Sequence, residues 1–236
     1  MLFKEIDYYI GLDLGQKKSF SAIAIVERTE EREQYHNRVT YAQEWEVLGP
    51  PQQAVRYLER FPLETSYVDV VDRVKQMLWH REFHEKKPKL IVDATGAGAP
   101  VVDLFRRDRE ISQRCDFTAM TITGGAQATK GRGPGDWMVP KQDLMSGLAL
   151  MFEERRLLIS RGLAESRQLV EELVRYGRED GYRDDLALAL AMACWKLRQD
   201  HESETKKRGP MTARQRQESE EILGAIMGIS AKRFRE

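Results

Sequence analysis

Residues 184–198 (DDLALALAMACWKLR) constrain this chain more than any other stretch. Apolar side chains nearly encircle a helix built from them, and such a helix must be enclosed by other elements rather than laid against water. The rest of the chain therefore has to supply enough sheet and helix to surround it. With 236 residues, 41% of them hydrophobic, it has material for one large core or two small ones.

The enclosing elements are legible as periodicities. Tyr8-Tyr9-Ile10-Gly11-Leu12-Asp13 is a short apolar run ending in a carboxylate, with Gly15 beyond it, the pattern of a buried strand running into a turn. It delivers Asp13 to the strand's C-terminal end. Residues 19–28 and 38–48 are rich in β-branched and aromatic types and predict two further strands of an antiparallel meander, broken by Gly49-Pro50-Pro51. From Ser66, a ready N-cap, Tyr67, Val70, Val71, Val74, Met77 and Leu78 recur at helical spacing, predicting a long amphipathic helix that ends before Pro88. Residues 89–93 (KLIVD) read as a fourth strand, and Gly96, Gly98 and Pro100 lead into a helix carrying Val101, Val102, Leu104 and Phe105.

Residues 117–123 predict a fifth strand, while residues 124–135 (GGAQATKGRGPG) are glycine-rich enough to read as a mobile loop. Pro140 opens a helix through Leu144, Leu148, Met151 and Phe152; a short apolar segment, 157–159, and a helix near residues 163–176 follow. Beyond Gln199 the composition turns to charge. The expected organisation is a domain over residues 1–199 and a charged tail over 200–236, with a linker at 206–210 and a short helix at 218–227 that could dock a partner. No internal repeat is present.

Three antiparallel strands, then strand, helix and strand, then helices describe an α/β fold. Its mixed five-stranded sheet, flanked by helices, places the first and fourth strands side by side and parallel. Open α/β sheets carry their sites outside the carboxyl ends of strands, where Asp13 and Asp93 both fall. The buried helix that begins at Asp184-Asp185 brings a third carboxylate. Acids gathered in one place repel one another unless cations lie between them, so the cluster predicts hard divalent ions held by oxygen, Mg2+ or Mn2+. Two such ions about 4 Å apart would serve phosphodiester hydrolysis, with Asp13 bridging both and Asp93 and Asp185 each holding one. Asp184 reads equally as a ligand or as the cap of the last helix.

Four segments carry a resemblance. Gly11-Leu12-Asp13-Leu14-Gly15, Val92-Asp93-Ala94-Thr95-Gly96-Ala97-Gly98, Val139-Pro140-Lys141-Gln142-Asp143-Leu144 and Asp184-Asp185-Leu186-Ala187-Leu188-Ala189 resemble, in order, the motifs of the nuclease domain of viral large terminases. The similarity spans about residues 8–197. It implies a ribonuclease H-like fold, metal-dependent cutting of double-stranded DNA, and catalytic acids at Asp13, Asp93 and the final pair, where Asp185, before Leu-Ala, resembles the catalytic acid of related resolvases.

The chain also departs from that family. It holds no Gly-x-x-x-x-Gly-Lys-Ser/Thr phosphate loop, so an ATPase motor, if one takes part, is expected from a separate partner. The position before the final acids, often histidine in relatives, is Arg183. Three other readings stay open: a Holliday junction resolvase using the same acids, an actin-like ATP-binding protein suggested by Gly-Leu-Asp-Leu-Gly, and a DNA-binding relic without activity.

Charge narrows how DNA would be held. The formal net charge is zero, so no global field draws the chain to a polyanion and local patches must do it. Lys130 and Arg132 in the glycine-rich segment, Lys17 and Lys18 after the first acid, and Lys141 are the candidates, each of which is otherwise ordinary surface charge. Gly96 and Gly98 suit either a phosphate at a helix N-terminus or tight strand-to-helix packing. His80 and His84 stand one helical turn apart without the His-Glu-x-x-His pattern of zinc sites. Trp45 and Trp137 suit base stacking or, more commonly, a core. Cys115 and Cys194 have neither zinc nor redox spacing, and the chain lacks a membrane-spanning apolar run, so a soluble cytoplasmic protein is expected.

Overall fold

A computed structural model describes residues 2–15, 19–36, 43–96, 98–177 and 183–208. The strands are β1 (Leu2–Asp13), β2 (Ala22–His36), β3 (Gln43–Val47), β4 (Gln52–Arg60), β5 (Lys89–Asp93), β6 (Asp116–Thr123), β7 (Thr129–Lys130), β8 (Asp136–Pro140) and β9 (Leu157–Ile159). The helices are α1 (Tyr67–Leu78), α2 (Gly98–Arg107), α3 (Arg109–Arg114), α4 (Lys141–Glu153), α5 (Ser166–Arg175) and α6 (Asp185–Arg208). The strands form one mixed sheet in the order β7-β8-β6-β5-β1-β2-β4-β9, with β3 paired to β2.

The expected parallel neighbours are in place: β1 pairs β5 with Leu12 opposite Val92. The parallel stack continues from β5 to β6 and from β6 to β8. Along β1 and β5 side chains alternate between the two faces of the sheet. Tyr9, Ile91, Met120 and Val139 fall in one buried cluster with α4 and α6, while Ile10, Leu12, Leu90 and Val92 are buried on the alternate positions. The acids Asp13 and Asp93 follow the first set, so both point to the α6 side.

The α6 helix meets the enclosure its composition demanded: every residue from Asp185 to Trp195 is buried. Each fully buried leucine there contributes about 1.5–3 kcal/mol relative to exposure. No helix among the described residues is long and apolar enough to cross a membrane.

The sheet is larger than expected, with nine strands among the described residues where five were anticipated. The third strand of the meander is not one strand over residues 38–48. A short β3 pairs with the far end of β2, and β4, unforeseen, lies beside β2 nearer the core. Gly49-Pro50-Pro51 is the link between them, with Gly49 at φ 76°, rather than the end of the sheet. Residues 124–135 are not simply a loop, because β7 and β8 form an antiparallel hairpin. Its turn is closed by Gly131 N–H donating to the Asp136 carbonyl (2.8 Å) and Gly133 N–H donating to the Asp136 carboxylate (2.9 Å). The apolar triplet 157–159 is β9, parallel to β4. Strands of two to five residues carry too few alternations to register as a period.

Two helix limits also differ. The α1 helix stops at Leu78, and a separate 3-10 turn, Arg81–Phe83, follows. His80 and His84 flank that turn and do not share a helix face, which removes the zinc spacing. The α6 helix passes Arg198 and takes in Lys206–Arg208, where a linker was expected. Glu, Lys and Gln favour helix once burial has set the direction. The short helix expected at 218–227 lies outside the described residues.

By proximity the chain divides into two compact units. The larger comprises residues 7–27 and 53–198 and holds all three expected acids. The smaller comprises, of the described residues, 2–6, 28–36, 43–52 and 199–208. Within the smaller, a buried Arg28–Glu30 pair (2.7 Å) has His201 Nδ1 3.3 Å from the Arg28 guanidinium. Trp45 there is half exposed and packs against Phe3 with ring centroids 5.8 Å apart.

Candidate active site

The seam between β1 and α6 sets the site. At Gly11 the two backbones come so close that a Cβ would lie 1.9 Å from the Ala189 carbonyl oxygen. No side chain fits there. Asp13 stands two residues further along the strand, about 6.6 Å on, and on the same face as Gly11. Asp185 stands about one turn, about 6 Å, before Ala189 on the matching face of the helix. Contact at Gly11 therefore brings the C-terminal end of β1 to the N-terminal end of α6.

Asp93 joins from the neighbouring strand. Its register beside β1 places it next to Asp13, whose carboxyl feels its charge. Its Oδ1 accepts from the Thr95 amide (2.8 Å) and hydroxyl (2.5 Å), and the Thr95 Oγ1 in turn accepts from Ile122 N–H (2.8 Å). Thr95 thus ties the end of β5 to β6 and fixes the Asp93 rotamer. Gly96 turns the chain with φ 56°, and a Cβ on Gly98 would meet the Asp93 carbonyl at 2.4 Å, so close packing alone accounts for that glycine.

All three acids are buried, with Asp13 at 7%, Asp93 at 8% and Asp185 at 5% exposure. Burial, and then the charges of Asp93, Asp185 and Asp184, push the Asp13 carboxyl well above its ordinary range, with Lys141 pulling the other way. Burial raises Asp93 against the Thr95 hydrogen bonds. It raises Asp185 too, against the nearby Arg60 charge. The Asp185 Oδ2 is buried without a hydrogen-bond partner. A buried carboxylate oxygen left so costs about 1–3 kcal/mol or more unless a proton or cation meets it. Among the described residues, no three His, Cys, Asp or Glu side chains already stand as a closed metal cage. The donor chemistry, oxygen only and anionic, suits a hard divalent ion, and the carboxylates would have to draw in around it.

Asp184 receives an ion pair from Lys141 (2.6 Å), and its carbonyl accepts from Leu188 N–H (2.7 Å), which makes it the residue that starts α6. Burial works against the Lys141 charge, but the Asp184 partner offsets it and holds the ammonium above its usual range. Lys141 is therefore engaged with the acids rather than free on the surface. Lys130 and Arg132 are exposed on the β7–β8 hairpin, with Lys130 Nζ 6.0 Å from the Trp137 ring centre. Trp137 itself packs edge-on against Trp195 of α6, at 5.1 Å between centroids. Lys17 and Lys18 lie outside the described residues.

Sequence reasoning missed Glu172. On α5, within the helix expected near residues 163–176, it is only 2% exposed. One oxygen takes the Arg60 guanidinium and the other accepts from Ala187 N–H (2.8 Å) in the first turn of α6. Burial outweighs both partners and pushes this carboxyl up to about 7. Arg60 and Arg183 both lie over the Phe20 ring, at 5.1 and 4.5 Å. No local signal marks these residues, because their partners are distant in the chain.

No family model matches the sequence, and the curated proteins contain no match. Among solved structures, the large terminase nuclease from thermophilic phage G20c is similar at 18% identity, over 80% of this chain and 81% of that one, with a TM-score of 0.44. The large terminase nuclease domain from bacteriophage SPP1, solved with bound Mn, is similar at 10% identity, over 80% of this chain and 86% of that one, also with a TM-score of 0.44. The chain is thus similar to large terminase nuclease domains over four fifths of its length.

Proposed function

We propose that this chain is a metal-dependent endonuclease of the terminase nuclease type, with a ribonuclease H-like core, that hydrolyses phosphodiesters of double-stranded DNA. What supports this reading is the placement of Asp13 and Asp93 at the ends of two adjacent parallel strands and of Asp185 at the start of the buried α6, with the charges of Asp93 and Asp185 acting on Asp13 and one Asp185 oxygen unpartnered. In this reading Asp13, Asp93 and Asp185 hold two Mg2+ or Mn2+ ions. Those ions, when bound, supply activation of water and stabilisation of the leaving oxygen.

The chain's own residues do the rest. Thr95 fixes Asp93, and Lys141 partly neutralises the acids through Asp184, keeping that carboxylate back as the start of α6. Lys130 and Arg132, with Lys17 and Lys18, meet DNA phosphates.

Purified protein with manganese and supercoiled plasmid tests the reading. Wild type is expected to nick and linearise the plasmid, chelator to stop it, and Asp13→Asn to lower the rate at least about a hundredfold. Equal cleavage by wild type and Asp13→Asn would falsify it. Preference for four-way junctions over linear duplex would turn it toward a resolvase.

A further inference from the structure

Two other pieces of chain reach the start of α6. Arg60, at the end of β4, and Glu172, on α5, pair with each other, and Glu172 also accepts from Ala187 N–H. The Glu172 carboxylate has no oxygen to spare, since one accepts from Arg60 and the other from Ala187 N–H. Both oxygens are thus engaged within the protein. What it holds is the first helical turn, whose N–H groups have no partner within the helix.

We propose that Arg60 and Glu172 form a positioning latch: Glu172, clamped by Arg60, anchors the first turn of α6 through Ala187 and so holds the Asp185 carboxylate toward Asp13, setting how tightly the site takes a divalent cation. The inference rests on Asp185 being a metal ligand, as read above. Glu172 is a positioning residue, acting through two residues of helix. Arg60 clamps Glu172.

The measurement is manganese affinity, by electron paramagnetic resonance of free Mn2+, on the full chain. Glu172→Met fills the same space without an acceptor and is expected to weaken manganese binding about tenfold. It should also speed amide exchange at residues 185–188. Glu172→Gln removes the charge but keeps an oxygen for Ala187 N–H, and should bind manganese nearly as wild type does. A purely electrostatic role predicts equal weakening in both variants. A purely structural one lowers the melting temperature and leaves the affinity of folded protein unchanged.

Either of those results overturns the latch, and a tenfold loss in Glu172→Gln does so even if Glu172→Met does not fold. The nuclease reading fails separately, when wild type binds manganese but cuts no DNA. Wild type that binds no manganese overturns both.

Discussion

At the residue scale the site is a set of carboxyl groups taken out of water. Asp13, Asp93, Asp185 and Glu172 are all raised by burial. A carboxyl whose pKa is higher folded than unfolded binds protons more tightly in the native state, so its contribution is full below the unfolded pKa and lost as pH rises through the folded one. For Glu172 that window runs from 4.5 to about 7. Metal-free protein is therefore expected to melt at a higher temperature near pH 5 than near pH 8. Thermal melts in chelator across this range check it, and a melting temperature that climbs with pH refutes it. Glu172→Gln should flatten part of the slope. The position of Asp13 after an apolar run and a glycine is a local signal, readable without coordinates. Glu172 is not readable, since LVEELVR presents it as one more exposed glutamate, and only Arg60 and Ala187, 112 and 15 residues away, reveal its burial.

At the element scale the seam between β1 and α6 governs the site. Gly11→Ala would drive a methyl group into the Ala189 carbonyl. Neither backbone can yield without moving Asp13 or Asp185, so the change should cost about 3 kcal/mol in urea denaturation and weaken the site as well. A stable, fully active Gly11→Ala would mean the seam is looser than drawn. The β7–β8 hairpin is the second decisive element, exposing Lys130 and Arg132. If it contacts phosphates, each of Lys130→Ala and Arg132→Ala should reduce the slope of log affinity against log salt by about 1. Anisotropy titrations with duplex DNA would show this, and unchanged slopes would remove the hairpin from the interface. The glycines of residues 124–135 spoke only of irregularity, because the hairpin depends on Asp136 closing the turn and Trp137 seating on Trp195.

At the scale of the whole molecule, uncompensated acids in a buried site link cation binding to stability. A ligand that binds only the folded state adds about 2.7 kcal/mol at a hundred times its dissociation constant. Manganese should therefore raise the melting temperature of wild type by several degrees and leave that of Asp13→Asn or Asp185→Asn nearly unmoved, as differential scanning calorimetry would record. An equal rise in all three would place the ion elsewhere.

Taken alone, the sequence determined that a wholly apolar helix must be enclosed, that short strands alternate with helices in an α/β order, and that acids sit at the ends of β1 and β5 and at the start of α6. Those are consequences of local pattern, which a few neighbouring residues specify. Tertiary structure alone decided the nine-stranded extent of the sheet, the pairing of Lys141 with Asp184, and the burial of Glu172 against Arg60. Each of these joins residues far apart in the chain, and the energy of such a contact belongs to no segment until folding brings both sides together.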